Sequence, residues 1–149
     1  PASSPVRNGV TLSAGDGGLL HRADTGFTVR PKVLDTLLDG GFLPVLEGGE
    51  EEALAVAQAT RAHRLVLFTT QEPSLALGVD RQVELLHLDL AAELRKAGEL
   101  PPETIRALEV ACRAVEGGVR RAALLAPGAD HILLLDALGQ HIQGISVTP

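Results

Sequence analysis

Methionine, tryptophan and tyrosine do not occur in this sequence, cysteine occurs once and phenylalanine three times. With 45% hydrophobic residues and almost no aromatics, any core has to be built from Leu, Val, Ile and Ala. A lone cysteine, Cys112, excludes an internal disulfide and a thiolate metal centre; its place on an apolar helix face makes it a small core residue. His21, His63, His87, His131 and His141 show no HxxxH or HxH spacing, so no metal site is expected. Positive charge is scarce, with 13 Lys and Arg against 19 Asp and Glu and a net charge of −6. That balance, without a basic patch interleaved with aromatics, argues against nucleic acid. No apolar run approaches the roughly 20 residues that span a bilayer, and no signal peptide opens the chain. A cytoplasmic protein is expected, and the missing first methionine reads as processing or as a piece of a longer chain.

What is present is alternation of helix and strand. At 149 residues, the expectation is a loose segment over 1–5 and one domain over 6–149. A strand over Val6–Ser13 is broken by Gly15-Asp16-Gly17-Gly18, which reads as a hairpin turn joining Val10–Ser13 to Leu19–His21. After a strand at Gly26–Val29, Pro31 starts a helix to Asp39 that Gly40-Gly41 caps. Phe42–Leu46 reads as a central parallel strand. A helix over Glu50–Ala62 opens with three acids that complement its dipole. Arg64–Thr70 is a continuous apolar strand of the kind buried on both faces. A short strand over Val83–Leu88 and an Asp89-capped helix to Ala97 follow.

Beyond Pro101-Pro102, Ile105, Leu108, Cys112 and Val115 recur at steps of three and four, an amphipathic helix that Gly117-Gly118 stops. Ala122–Leu125 is a buried strand. A turn at Pro127-Gly128, a helix over Asp130–Leu138 and a strand over Ile142–Val147 close the chain. The fold class is therefore α/β, a three-layer sandwich around a mainly parallel sheet.

The ordered series Leu12-Ser13, Asp16-Gly17, Phe42-Leu43-Pro44-Val45, Glu116-Gly117-Gly118-Val119-Arg120-Arg121 and His131-Ile132-Leu133-Leu134-Leu135 resembles the nucleotide lobe of the amino-acid kinase family, in its acetylglutamate kinase branch. The resemblance implies ATP-dependent phosphorylation of an amino-acid carboxylate and the C-terminal half of the family's fold. It covers nearly all of this chain but half of that fold, since the family's Lys-x-Gly-Gly turn and Gly-Gly-Gly substrate loop are not found. It also implies a nucleotide site after the Arg64–Thr70 strand. There Thr69 and Leu75 match, while Thr70 replaces an aspartate and Pro73 a glycine. Thr69, Thr70, Gln71 and Leu75 are the candidate nucleotide-binding residues, set against the local reading in which strand-end hydroxyls satisfy nearby backbone.

Other positions depart further. Glu50 is the nearest match to an aspartate that orients the family's lysines, and a solvated first-turn acid is the simpler reading. Where the family carries a phosphate-neutralising lysine, this chain has Glu103. The Asp-Gly-Arg turn is replaced by Ala126-Pro127-Gly128, and His131 reads as a structural cap. No catalytic residue is assigned, and binding of ATP with magnesium is expected to be weak or absent. Three readings stay open: a non-catalytic binding or assembly module with a nucleotide or amino-acid ligand; the active half of a kinase completed by another lobe; and an unrelated doubly wound domain. A homo-oligomer or a partner chain is expected under the first two.

Overall fold

Leu12, Leu19, Leu20 and Leu34 gather the first half of the chain around one aliphatic cluster, joined by Val10, Phe27, Val29, Val33, Leu37, Leu46 and Val56. The computed structural model describes residues 8–13, 15, 18–24, 26–70, 85–97, 100–126, 131–138 and 144–149. They fall into two compact units, Pro1–Thr60 and Arg61–Pro149.

In the first unit, β1 (Gly9–Leu12) pairs in parallel with β4 (Leu43–Leu46), from Gly9 opposite Leu43 to Leu12 opposite Leu46. The strands β2 (Leu20–Ala23) and β3 (Gly26–Val29) form an antiparallel hairpin closed between Ala23 and Gly26. This corrects the expected hairpin between Val10–Ser13 and Leu19–His21. The backbone groups of β1 are spent on β4, more than thirty residues away, and Arg30 N–H donates to the Leu19 carbonyl at 2.8 Å. Among the described residues β4 has one strand neighbour, so it is not seen as a central strand.

Helix α1 (Lys32–Asp39) ends as its two glycines dictate. Gly41 takes φ +75°, the Phe42 N–H reaches back to the Leu37 carbonyl and the Gly41 N–H to the Leu38 carbonyl, each at 2.9 Å. Helix α2 (Glu50–Ala59) buries Leu54 and Ala57 and lies against β3. It stops short of the expected Ala62 because the chain turns at Thr60, whose hydroxyl donates to the Val56 carbonyl at 2.8 Å, and Arg61 adopts φ +48°.

The second unit is a four-stranded sheet in the order β5-β7-β8-β6, formed by β5 (Leu65–Phe68), β6 (Leu85–His87), β7 (Ala122–Leu125) and β8 (Gly144–Thr148). β5 runs parallel to β7 and β6 parallel to β8, while β7 and β8 are antiparallel. All four residues of β7 are buried. Among the described residues β5 has β7 as its one strand neighbour, and Phe68 is 53% exposed, so the burial on both faces expected of this strand is not met along its whole length.

Helix α3 (Leu88–Ala97) packs on α4 (Pro102–Glu116), and α4 lies against β5, β7 and β8. Its Leu108, Ala111, Cys112 and Ala114 are buried. Gly118 at φ +98° stops α4 as Gly41 stops α1, with Val119 N–H donating to the Ala114 carbonyl at 3.0 Å. From the short helix α5 (Ile132–Ala137), Ile132 packs with Val66, Ala123 and Leu125, which share one face of the sheet. Helices on both sides of a largely parallel sheet give the α/β layering that the alternation of elements anticipates. The expected loose segment 1–5, the Asp16-Gly17 pair and the Pro127-Gly128 turn lie outside the described residues.

Candidate functional site

Parallel strands deliver their C-terminal ends to one edge of the sheet, and that edge is where α/β folds hold ligands. In the second unit it is formed by Phe68 at the end of β5 with Thr69 and Thr70 after it, by Leu125 at the end of β7, and by the first turn of α4. Thr69 is buried, and its N–H donates to the Leu125 carbonyl at 2.9 Å, continuing the β5–β7 ladder by one residue. Its hydroxyl leans on the same carbonyl at 3.4 Å. Local backbone satisfaction, the plainer of the two roles for Thr69, is what these contacts describe.

Thr70 is exposed and turns toward α4. Its N–H donates to Glu103 Oε1 at 2.7 Å and its hydroxyl to Glu103 Oε2 at 2.6 Å. One carboxylate thus engages both donors of one residue. Pro101-Pro102 positions Glu103 for this: the proline at the start of α4 needs no N–H partner there, and the acid that follows lies within the first turn, where the helix dipole favours negative charge. The Thr70 hydroxyl, and after it the Thr70 N–H, hold the Glu103 carboxyl below its ordinary value near 4.5. Glu103 is consequently ionised at neutral pH.

The stability that this contact contributes has a definite pH sign. A folded-state value depressed below the unfolded one means the contribution is fully present above about pH 4.5 and fades as pH falls through the folded value. Glu103→Gln is expected to flatten the acid side of the stability curve while leaving the neutral side nearly parallel to wild type. Urea midpoints between pH 3 and pH 7 check this, and identical acid limbs in the two proteins would show that the contact has no thermodynamic weight.

Gln71 and Leu75 lie outside the described residues. His131 stands at the start of α5 in a left-handed conformation, φ +60°, with no side-chain hydrogen bond capping the helix, so its place as a cap is a matter of backbone alone. Glu50 is exposed at the start of α2. In the same turn Glu52 accepts from the Gly49 N–H at 3.0 Å. Among the described residues no three His, Cys, Asp or Glu side chains are grouped to hold a metal, and no helix is long and apolar enough to cross a membrane.

A second polar cluster, which sequence reasoning did not single out, sits at the opposite ends of the same strands. Arg64 precedes β5 and Arg121 precedes β7; both reach Asp136 on α5, at 2.7 and 3.1 Å. Asp136 is 1% exposed. Arg64 Nη1 also donates to the Asp136 carbonyl at 2.6 Å, and Arg121 donates through Nε and Nη2 to the Ser146 hydroxyl on β8 at 3.0 and 2.7 Å. The parallel pairing of β5 with β7, which the sequence does not state, is what sets the two arginines side by side. At this end of the strands the cluster fastens α5 to the sheet.

No protein-family model matches the sequence. Among curated proteins it is 30% identical to an acetylglutamate kinase from a Synechococcus species, over 94% of this chain and 53% of that protein. It is 31% identical to the acetylglutamate kinase of Methanopyrus kandleri, over 78% of this chain and 60% of that protein. Among solved structures, N-acetylglutamate synthase from Neisseria gonorrhoeae, complexed with coenzyme A and N-acetyl-glutamate, superposes with a TM-score of 0.70 at 23% identity, covering 93% of this chain and 38% of that one. Giardia carbamate kinase superposes with a TM-score of 0.62 at 14% identity, covering 95% and 62%. The likeness to these two structures is one of fold. By sequence the chain is acetylglutamate kinase-like, by fold it is similar to a carbamate kinase, and it spans about half the length of the curated relatives it matches.

Proposed function

We propose that this chain is an acetylglutamate kinase-like domain that has lost phosphoryl transfer and serves as a binding or assembly module. The Glu103–Thr70 contact carries the reading. Phosphoryl transfer depends on positioning and on positive charge around the transferring group's oxygens. At the α4 mouth the chain instead presents an ionised carboxylate, at the position where the resemblance implies a lysine. Removing one stabilising donor from such a site costs on the order of 10² to 10³ in rate, and replacing it by an acid adds repulsion. Thr70's two donors are engaged by Glu103 and Thr69's by the Leu125 carbonyl, so the described part of the site does not fit an ATP phosphate with its magnesium ion.

The shared fold of a synthase supports the same reading, since the architecture evidently serves proteins not named as kinases. Any residual nucleotide binding is placed at Thr69, Thr70, Gln71 and Leu75. A cytoplasmic setting and a link to arginine biosynthesis follow only through the kinase relatives. The alternative, an active nucleotide-binding half completed by another lobe, draws on the share of the relatives that the chain spans.

The purified chain is expected to form no ADP that depends on N-acetylglutamate when given MgATP, and calorimetry is expected to show weak MgATP binding or none. ADP formation that rises with N-acetylglutamate overturns the proposal. Tight MgATP binding undisturbed by Thr69→Ala would remove the assigned nucleotide residues.

A further inference from the structure

We propose that the Arg64–Arg121–Asp136 cluster of the second unit is also a binding site for a small carboxylate ligand, held by the guanidinium donors that Asp136 and Ser146 leave unspent. Two arginines share one carboxylate, so the cluster carries a surplus of one positive charge, in a chain whose net charge is −6. His63 and Arg120, which directly precede the two arginines, are both exposed, and no acid stands next to either arginine in sequence to offset the surplus.

The hydrogen bonds leave room to match. A guanidinium carries five N–H bonds. Arg64 uses Nη1 on Asp136, at 2.7 Å to Oδ2 and 2.6 Å to the backbone carbonyl. Arg121 uses Nη2 on Asp136 Oδ1, and Nη2 and Nε together on the Ser146 hydroxyl. Among the described residues Arg64 Nη2, Arg64 Nε and Arg121 Nη1 are left without a partner. Arg64 Nε is buried as well, where an unpaired donor is costly. The two arginine side chains keep 24% and 27% exposure, so a small ligand can reach them from solvent.

Asp136 shows what these groups are arranged to grip: one planar carboxylate with an oxygen for each guanidinium. A second carboxylate on the unspent donors meets the same fork geometry. A monoanion brings the cluster to neutrality, whereas a phosphate dianion overshoots it. The site lies at the ends of β5 and β7 away from Thr70 and Glu103, and its occupancy is independent of whether the chain transfers phosphate.

The test is an NMR titration of the intact chain that follows the arginine Nε–H resonances while sodium acetate replaces sodium chloride at constant ionic strength. In wild type the Arg64 and Arg121 resonances are expected to shift along a saturating one-site curve. Arg121→Lys keeps the charge beside Asp136 but not the fork, and should weaken acetate binding about tenfold, the loss of one charge-assisted hydrogen bond; the amide spectrum confirms that the variant is folded. No shift in wild type, or one that never saturates, overturns the proposal, as does unchanged affinity in a folded Arg121→Lys. Inorganic phosphate that saturates the same resonances at lower concentration than acetate overturns the assignment to a carboxylate. Resonances that move with protein concentration in the absence of acetate assign the donors to a carboxylate side chain of another copy and overturn the small ligand.

Discussion

Asp136→Ala lowers the stability of the folded chain by about 3 kcal/mol, the lower part of the range for breaking a buried ion pair from one side. The residue is 1% exposed and receives both Arg64 and Arg121, so its removal leaves two guanidinium groups facing a void lined by the underside of α5. Arg64 Nε is already a buried donor without a hydrogen-bond partner among the described residues, and loss of the carboxylate adds to that deficit. The arginine side chains keep 24% and 27% of their exposure, so water recovers part of the cost. Urea unfolding of wild type and variant measures it. A companion in which Arg64 and Arg121 become Met and Asp136 becomes Leu is expected to recover most of the loss, because replacing a whole buried ionic cluster by apolar groups is often close to neutral. A loss below about 1 kcal/mol in Asp136→Ala would place the cluster with solvated surface pairs, which contribute little.

Such a cluster shows where sequence stops informing. Arg64, Arg121 and Asp136 are scattered over 72 positions, and no local pattern says that they meet. Glu103 and Thr70 are 33 positions apart, so the sequence identified the reversed charge without finding the donors that hold it. Features settled by neighbouring residues were legible. The glycine pairs at 40–41 and 117–118 end α1 and α4 because a residue at positive φ is needed just past each helix, and β7 falls on the expected Ala122–Leu125.

Pairing between strands was less legible. The glycines at 15–18 announced a turn but not the destination of the strand before it, and β1 turned out to pair with β4 across the intervening hairpin and α1. Periodicity reports that Leu65–Phe68 is apolar and not how deeply each residue is covered; Phe68 at its end is half exposed. The assignment of Thr69 and Thr70 to the site follows from strand position, which is a property of the whole sheet.

Gly144 supplies the second large expected effect, and its cause is space. At the start of β8, opposite Leu125, a Cβ would lie 2.6 Å from the Leu124 carbonyl oxygen and 2.7 Å from Leu125 Cδ2. The first of these is backbone in the most buried strand of the unit, so it cannot rotate away as a side-chain end would. Relief requires β8 to lift from β7, which loosens the contacts of Ile145 and Val147, both fully buried. Gly144→Ala is therefore expected to lose about 1–3 kcal/mol, and more if the strands separate over several residues. Gly118→Ala is the natural control. Gly118 sits at φ +98° with nothing within 4 Å of the added atom, so its cost is conformational, on the order of 1–2 kcal/mol, and leaves the sheet intact. Urea midpoints rank the two, and amide exchange separates their causes. Faster exchange across β7 and β8 in Gly144→Ala alone supports the close approach of the strands; equal protection there in both variants and wild type would mean that β8 does not lie against the Leu124 carbonyl.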